Sequence, residues 1–343
     1  MTTTTVTATD IEAAADRIRP HVRRTGLTIS KPLSARHGAT IAIKAEHTQF
    51  TGSFKLRGAL NRVLTLSPTE ARVGIVTASS GNHGIATATA ARLADTGCTV
   101  YLPTGASPSK VAAIKAQGAI TVTVDSSDAF QAEVVARAAA AEEGATYVSP
   151  YNDPTVVAGQ GTVGVEIVED ASSAGLERLD AVVVAVGGGG LISGIATWLA
   201  DRSPDTIVIG ASPAHDAAMA DSVEAGRVVN RPAKPTYSDG TAGGIEPETI
   251  TFEPCQSLVD QWVLVSEAEI AAAVATMIDD HHQLIEGAAG VALAAGTRFG
   301  ERHPGSSVVV VTCGANVSAA RLGEMLSLAG SFGGAKPGED GHA

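Results

Sequence analysis

Aromatic side chains are scarce in this chain: they make up 3% of its 343 residues, although hydrophobic residues together make up 44%. The core must therefore be built from Ala, Val, Ile and Leu, a composition that suits helices packed on a buried parallel sheet. The length exceeds what one compact core usually supports. We predict an α/β protein with two joined lobes.

Clusters of positive charge and a cysteine framework are also lacking. Asp and Glu outnumber Lys and Arg by 36 to 24, the formal charge is -12, and no basic cluster occurs. Because binding of nucleic-acid phosphates needs clustered Lys and Arg, we expect no nucleic-acid partner. The three cysteines, Cys98, Cys255 and Cys313, are widely spaced, which predicts neither disulfide bonds nor a zinc site and fits a reducing cytoplasm.

Neither a targeting signal nor a membrane-spanning segment is evident in the sequence. The first five residues include no basic region and no apolar region, so we predict no secretory signal. Residues 181–200 carry no charge, but four consecutive glycines divide a β-branched run from a helical one. We expect a cytoplasmic protein that does not bind membranes.

Apolar runs alternate with helical stretches between residues 73 and 148. The runs cover residues 73–77, 98–102, 119–124 and 145–148, and the stretches between them are 10 or more residues long. This order is typical of βαβ units with a parallel sheet. Later apolar runs at residues 181–186 and 307–312 predict further strands.

Lys55 follows Phe54 at the predicted start of a helix. A free lysine is almost fully protonated near pH 7, but a helix N-terminus and a desolvated pocket both lower the pKa of its ammonium group. A neutral amine suits Schiff-base chemistry. The alternative is a solvated lysine at the start of an amphipathic helix.

Two turns that follow predicted strands are rich in small and polar residues. The first, Ser79-Ser80-Gly81-Asn82-His83-Gly84, precedes a helix whose amides can bind an anion. The second, Gly187-Gly188-Gly189-Gly190, lets successive N–H groups converge on one oxyanion cluster. A dinucleotide site would need an acidic residue after the next strand, and Ala211-Ser212-Pro213 stands there instead.

The lysine segment and these two turns, followed by residues 286–290 and 312–316, resemble the signature motifs of fold-type II pyridoxal-phosphate enzymes, the tryptophan-synthase-β-like family. The similarity spans about residues 10–325 and points to the threonine/serine dehydratase and serine racemase branch. It implies two lobes, each a mainly parallel twisted sheet flanked by helices. The large cofactor-binding domain would comprise residues 1–70 and 150–328, and the small carboxylate-binding domain residues 71–149. The glycine-rich residues 329–343 predict a disordered tail.

The resemblance also implies a role for each motif. Lys55 would carry pyridoxal 5'-phosphate covalently and then remove the substrate α-proton, with Phe54 packed near the ring. The turn residues Ser79, Ser80, Asn82 and His83 would bind the substrate carboxylate, and the Asn82 side chain would also lie beside the ring hydroxyl. The remaining cofactor-binding residues would be the phosphate loop Gly187, Gly188, Gly189, Gly190 and Leu191, together with Glu286 and Cys313.

Cys313 favours one type of reaction among those of the family. By family position it lies against the pyridine nitrogen, where a neutral thiol cannot hold the ring protonated as a carboxylate would. We therefore expect elimination of the β-hydroxyl group and deamination of an L-amino acid such as serine or threonine. His83 also favours the dehydratases, because related β-replacement enzymes commonly have threonine at this position. A small buried apolar role for Cys313 is the alternative.

Three other functions remain open. Ser80 matches the second acid of serine racemases, so Lys55 and Ser80 could racemise an amino acid. Residues 217–219, 224–227 and 243–245 resemble the hydroxyectoine-utilisation dehydratases, so a larger substrate such as 3-hydroxyaspartate, phenylserine or a hydroxyectoine-derived amino acid is the second alternative. The third is a protein of this fold that is not an enzyme and instead stores the cofactor or has a regulatory role.

Related dehydratases and racemases that bind a divalent cation use a glutamate and an aspartate, where this chain has Ser212 and Ala218. We therefore expect no metal, and we interpret His281 and His282 as a polar helix end. The resemblance further implies a homodimer. Because only a short Gly/Ala/Pro-rich segment follows the last predicted helix, we expect isoleucine to act at most as a weak competitor in the active site.

Overall fold

The computed structural model describes residues 6–127 and 129–332, and it contains two sheets. The larger sheet has the strand order β1-β2-β10-β7-β8-β9, in which only β1 is antiparallel to its neighbour. The smaller sheet has the order β5-β4-β3-β6 and is entirely parallel. The strands are β1 (Leu27–Ile29), β2 (Thr40–Lys44), β3 (Ile75–Ala78), β4 (Cys98–Pro103), β5 (Ile120–Val124), β6 (Thr146–Tyr147), β7 (Ala181–Ala185), β8 (Ile207–Pro213), β9 (Gln261–Val265) and β10 (Ser307–Val311).

Helices connect the parallel strands, as parallel pairing requires. They are α1 (Ala8–Ile18), α2 (Lys31–His37), α3 (Lys55–Leu64), α4 (Pro68–Val73), α5 (Asn82–Leu93), α6 (Pro108–Lys115), α7 (Ala129–Glu143), α8 (Pro154–Asp170), α9 (Gly190–Arg202), α10 (Ala218–Ala225), α11 (Phe252–Leu258), α12 (Glu267–His281), α13 (Gly287–Arg302) and α14 (Ala319–Phe332).

The central strands β7 and β10 of the larger sheet are buried along their whole length and, apart from Ser307, consist of Ala and Val. Every residue of β7 and β10 is buried, because helices cover both faces of a parallel sheet and leave no solvent side for polar residues. β10 lies between β2 and β7, with Val308 beside both Ile41 and Ala181. The last strand of the chain is therefore internal in the sheet.

Helix α3, which begins with Lys55, packs closely against α8, and α8 packs closely against α9. A Cβ atom on Gly159 of α8 would lie 2.7 Å from the Cα atom of Gly58 in α3. A Cβ atom on Gly194 of α9 would lie 2.5 Å from the backbone nitrogen of Gly161 in α8. Only glycine permits these approaches, so the three helices form one closely packed layer.

The predicted α/β fold with parallel sheets is confirmed by this topology. The domain division at residues 70 and 150 stays a prediction. The tail prediction needs a correction, because α14 continues to Phe332, and Leu328 and Ala329 still pack against the core. Residues 333–343 of the predicted tail lie outside the described residues. Among the described residues, no helix is both long and apolar enough to cross a membrane.

Candidate active site

A cavity of about 760 Å³ is lined by all of the motifs identified in the sequence. The turns after β3, β7 and β10 meet here, because the carboxyl ends of parallel strands lie at the same edge of a sheet. The predicted site residues in its wall are Phe54, Lys55, Ser79, Ser80, Asn82, His83, Gly187, Gly188, Gly189, Gly190, Leu191, Glu286 and Cys313.

Lys55 is the first residue of α3, and its side chain reaches into the cavity. Its Nζ donates a hydrogen bond to the Pro150 carbonyl at 2.9 Å and lies 5.2 Å from the centre of the Phe54 ring. Burial lowers the pKa of Lys55 to about 8, although the charge of Glu286 acts in the opposite direction. A substantial fraction of this amine is therefore neutral near pH 8.

The turn from Ser79 to His83 ends β3 and begins α5. No side chain caps the start of this helix at Gly81, so the first N–H groups of α5 lack a capping side-chain acceptor at a point where Gly81, Asn82 and His83 line the cavity. The Gly81 N–H donates to Ser79 Oγ at 3.1 Å. A Cβ atom on Gly84 would lie 2.1 Å from the Ser79 carbonyl oxygen, which explains the glycine at this position. The turn provides the N–H donors that a carboxylate needs.

The glycine loop between β7 and α9 forms a cradle without side chains. Gly189 has a φ of 83°, in the left-handed region that favours glycine, and a Cβ atom on Gly188 would lie 2.4 Å from the Tyr151 ring. The backbone N–H groups of Gly187, Gly188 and Gly189 donate to no other described residue. Converging free N–H groups at the start of a helix suit a phosphate group, so the loop fits the phosphate of pyridoxal 5'-phosphate.

Glu286 is the centre of a hydrogen-bonded group beside the lysine. It is the residue before α13, and it accepts bonds from Asn82 Nδ2 at 2.9 and 3.0 Å and from the Asn316 backbone at 3.1 Å. Asn316 Nδ2 in turn donates to Asn82 Oδ1 at 2.7 Å. Burial raises the pKa of Glu286 to about 7, although the bonds from Asn82 and Asn316 lower it. The group joins the ends of α5, α13 and β10.

Cys313 follows β10 and is buried in the cavity wall. Its carbonyl accepts a hydrogen bond from the Phe54 N–H at 3.1 Å, which connects β10 to the lysine segment. Burial raises the pKa of the Cys313 thiol well above its ordinary value, and the charge of Glu286 raises it further. The thiol is therefore neutral at physiological pH.

Several charged and aromatic residues in the cavity wall were not predicted from the sequence. Arg137 in α7 binds Glu133 at 2.7 Å and Glu246 at 2.8 Å, and both carboxylates line the cavity. The Tyr151 hydroxyl accepts a hydrogen bond from the Glu246 N–H at 3.0 Å. Lys110 also lines the wall. No local motif marks these residues, because helices and loops far apart in sequence bring them together.

The positions that bind a cation in related enzymes lack ligand geometry here. Ser212 donates its hydroxyl to the Val186 carbonyl at 3.2 Å, and Ala218 has no donor atom in its side chain. His281 Nε2 is paired with Ser30 Oγ at 2.9 Å. Within residues 6–127 and 129–332, no group of three His, Cys, Asp or Glu residues could hold a metal ion.

Comparison with known proteins agrees with the geometry. Residues 18–314 match a family model described as pyridoxal-phosphate dependent enzyme. The chain is 40% identical to an L-threonine ammonia-lyase of Geobacter sulfurreducens over 83% of this chain and 69% of that protein. It is 35% identical to a β-hydroxyaspartate dehydratase of Paracoccus denitrificans over 91% of this chain and 97% of that protein. The processed form of threonine deaminase isoform 2 from Solanum lycopersicum superposes with a TM-score of 0.87 and 33% identity, covering 94% of this chain and 92% of that chain.

Proposed function

Because the chain belongs to the family of pyridoxal-phosphate-dependent enzymes, we propose that it is an ammonia-lyase that converts L-threonine or L-serine to a 2-oxo acid and ammonia. The observation that carries this proposal is the single cavity in which a lysine of lowered pKa, a helix-start turn and a bare glycine loop meet. The division into a cofactor-binding domain and a smaller substrate-binding domain is part of the proposal.

The cavity wall has a suitable group for each part of the cofactor. Lys55 would hold it covalently, the N–H groups of the Gly187–Gly190 loop and of Leu191 would bind its phosphate, and Phe54 would pack near the ring. Asn82, Glu286 and Cys313 would surround the ring. When bound, the cofactor withdraws electrons from the α-carbon of an attached amino acid and so makes its α-proton acidic.

The chain's own groups then handle the carboxylate and the proton. The start of α5, with Ser79, Ser80, Asn82 and the backbone N–H of His83, would bind the substrate carboxylate through N–H and hydroxyl donors. Once released, the Lys55 amine would accept the α-proton at Nζ, since a base with a pKa of about 8 is partly neutral at physiological pH. Cys313 would present a neutral thiol rather than a carboxylate, so it would not hold a proton on the ring nitrogen, which favours loss of the β-hydroxyl group.

A larger 3-hydroxy amino acid is the second candidate substrate. The similarity to a β-hydroxyaspartate dehydratase supports it, and the cavity of about 760 Å³ has room for a side chain beyond that of threonine. Lys110 in the wall could pair with a side-chain carboxylate, whereas Glu133 and Glu246 favour an uncharged or cationic side chain. Racemisation has one supporting observation, since Ser80 lines the same cavity as Lys55.

We further propose a homodimer in the cytoplasm that acts on a small-molecule substrate. The three free, buried cysteines support a reducing compartment. Sedimentation at several protein concentrations tests the dimer, and cell fractionation tests the location.

Borohydride treatment of one sample and a turnover assay on another test the proposed function. The purified protein should show a visible absorption band that borohydride bleaches, and the reduced cofactor, as the label, should be attached to the peptide containing Lys55. A separate, untreated sample should convert L-threonine and L-serine to 2-oxo acid and ammonia in equal amounts, without formation of the D-amino acid, whereas the borohydride-treated sample should be inactive. Label on another lysine would refute the role of Lys55, and racemisation without ammonia release would refute the lyase reaction.

A further inference from the structure

His83 has a buried ring nitrogen without a hydrogen-bond partner in the wall of the active-site cavity. The residue is 3% exposed, and its Nδ1 bonds to no atom of the described chain. Buried polar atoms in folded proteins are nearly always satisfied. An unsatisfied nitrogen in the wall of a substrate cavity therefore indicates a ligand atom that completes it.

The other ring nitrogen determines the chemical character of Nδ1. Nε2 lies 3.0 Å from the Val148 carbonyl oxygen, which can only accept, so Nε2 carries the proton. Thr87 Oγ1 lies 3.4 Å from the same nitrogen and can accept a weaker share of this N–H. Burial and the charge of Lys55 lower the pKa of His83 to about 3, so the ring is neutral and Nδ1 holds a lone pair. Nδ1 is an acceptor that needs a donor.

A lone pair facing a carboxylate oxygen is repulsive, so the carboxylate contact predicted for His83 would use its backbone N–H and not Nδ1. A 3-hydroxy amino acid offers two donors, its amino group and its β-hydroxyl group. The cofactor engages the amino group in this family of enzymes. The hydroxyl group remains as the donor of matching polarity.

We propose that His83 Nδ1 accepts a hydrogen bond from the β-hydroxyl group of the substrate and thereby selects hydroxylated amino acids. The inference rests on the proposed lyase function and adds a residue that recognises the leaving β-hydroxyl group. His83 orients the hydroxyl group and does not protonate it, because the neutral Nδ1 has no proton to give. The contact also lies close to Lys55, since Val148 and Pro150, two residues apart, accept from His83 and Lys55 respectively.

L-Serine and β-chloro-L-alanine form the substrate pair for the test. Both give pyruvate and ammonia by elimination, but the chlorine of the second cannot donate a hydrogen bond. His83→Gln keeps a donor that can reach the Val148 carbonyl and removes the acceptor at Nδ1. We expect it to lower kcat/KM about tenfold for L-serine and less than about twofold for β-chloro-L-alanine. His83→Asn, whose amide oxygen can take the position of Nδ1, should recover part of the preference for L-serine.

His47→Gln is the matched control. His47 is also buried, but both of its nitrogens are paired, with Thr312 and Gln283, and it does not line the cavity. This variant should leave the ratio of the two kcat/KM values unchanged. An equal loss for both substrates in His83→Gln would overturn the role of His83 while leaving the lyase function standing. A wild-type enzyme that releases ammonia from none of L-serine, L-threonine and β-chloro-L-alanine would overturn the proposed lyase function and this inference together.

Nitrogen NMR of histidine-labelled holoenzyme provides a readout independent of turnover. The His83 resonances should show a protonated Nε2 and an unprotonated Nδ1 at pH 7. A protonated Nδ1 would refute the proposal, because the nitrogen would then be a donor.

Discussion

Gly188→Ala is expected to weaken cofactor binding by about 5- to 150-fold. The new methyl carbon would lie 2.4, 2.5 and 2.7 Å from three ring carbons of Tyr151, well inside van der Waals contact. Tyr151 has little freedom to move, because its hydroxyl is bonded to the Glu246 N–H and it directly follows Pro150, whose carbonyl holds Lys55. Any relief of the clash must therefore displace the glycine loop, the lysine or both.

The magnitude follows from the usual cost of overpacking. Inserting one methyl group into a well-packed site costs about 1–3 kcal/mol. If this strain is borne by the cofactor-binding conformation of the loop, the dissociation constant rises tenfold for about each 1.4 kcal/mol. The expected range is thus about 5- to 150-fold.

Titration of cofactor-free protein with pyridoxal 5'-phosphate, followed by absorbance, measures the effect. Gly97→Ala is the control, because a Cβ atom there has no neighbour within 4 Å. The control should bind as the wild type does, and circular dichroism should show that both variants are folded. A Gly188→Ala variant with a dissociation constant within about threefold of the wild type would refute the role of the loop as a side-chain-free cradle.

Three further predictions concern stability, pH and metal dependence. Arg57→Met should lower the free energy of unfolding by about 3–5 kcal/mol, because the buried guanidinium binds both Glu46 and Glu166 and its loss leaves the buried Glu46 without a cationic partner, while Glu166 keeps Lys44. The control in urea unfolding is Arg24→Met, which removes the ion pairs of an exposed arginine with Glu169 and Asp170 and should cost less than about 1 kcal/mol for each pair. A similarly small loss for Arg57→Met would contradict the prediction. In cofactor-free protein, the rate of covalent cofactor attachment to Lys55 should rise with pH up to about 8 and then level, since the neutral amine reacts and burial lowers its pKa to that value. A rate that keeps rising toward pH 10 would instead indicate an ordinary lysine. EDTA should change neither the thermal midpoint nor turnover, because Ser212 and Ala218 supply no carboxylate, and a loss that magnesium restores would disprove this.

Much of the fold and the site could be predicted because its signals are local. The alternation of apolar runs and helical stretches reflects the periods of strands and helices, and it placed β3 to β6 in one parallel sheet. The glycines at 187–190 and the Ser79–Gly84 turn depend on backbone freedom that few other residues allow. These segments therefore identified the cavity-lining motifs without a structure, although the roles of the individual residues stay predictions.

Other features depend on contacts that no local pattern encodes. Lys44, Glu46, Arg57 and Glu166 form a buried charge cluster in which residues up to 122 positions apart are bonded. The sequence shows four ordinary charged residues, and only the packing of α3, β2 and α8 removes them from water together. The Tyr151 ring behind Gly188 and the Arg137 bridge between Glu133 and Glu246 arise in the same way.

The sequence by itself determined the secondary structure, the motifs and the class of chemistry, because each depends on residues close together in the chain. The tertiary structure decided that β10 is inserted between β2 and β7, and that the His83 ring donates to Val148 and leaves Nδ1 without a partner among the described residues. Strand order and hydrogen-bond partners depend on which surfaces, distant in sequence, pack together and exclude water. Because the packing of the whole core determines both, they cannot be predicted from a short segment of the sequence.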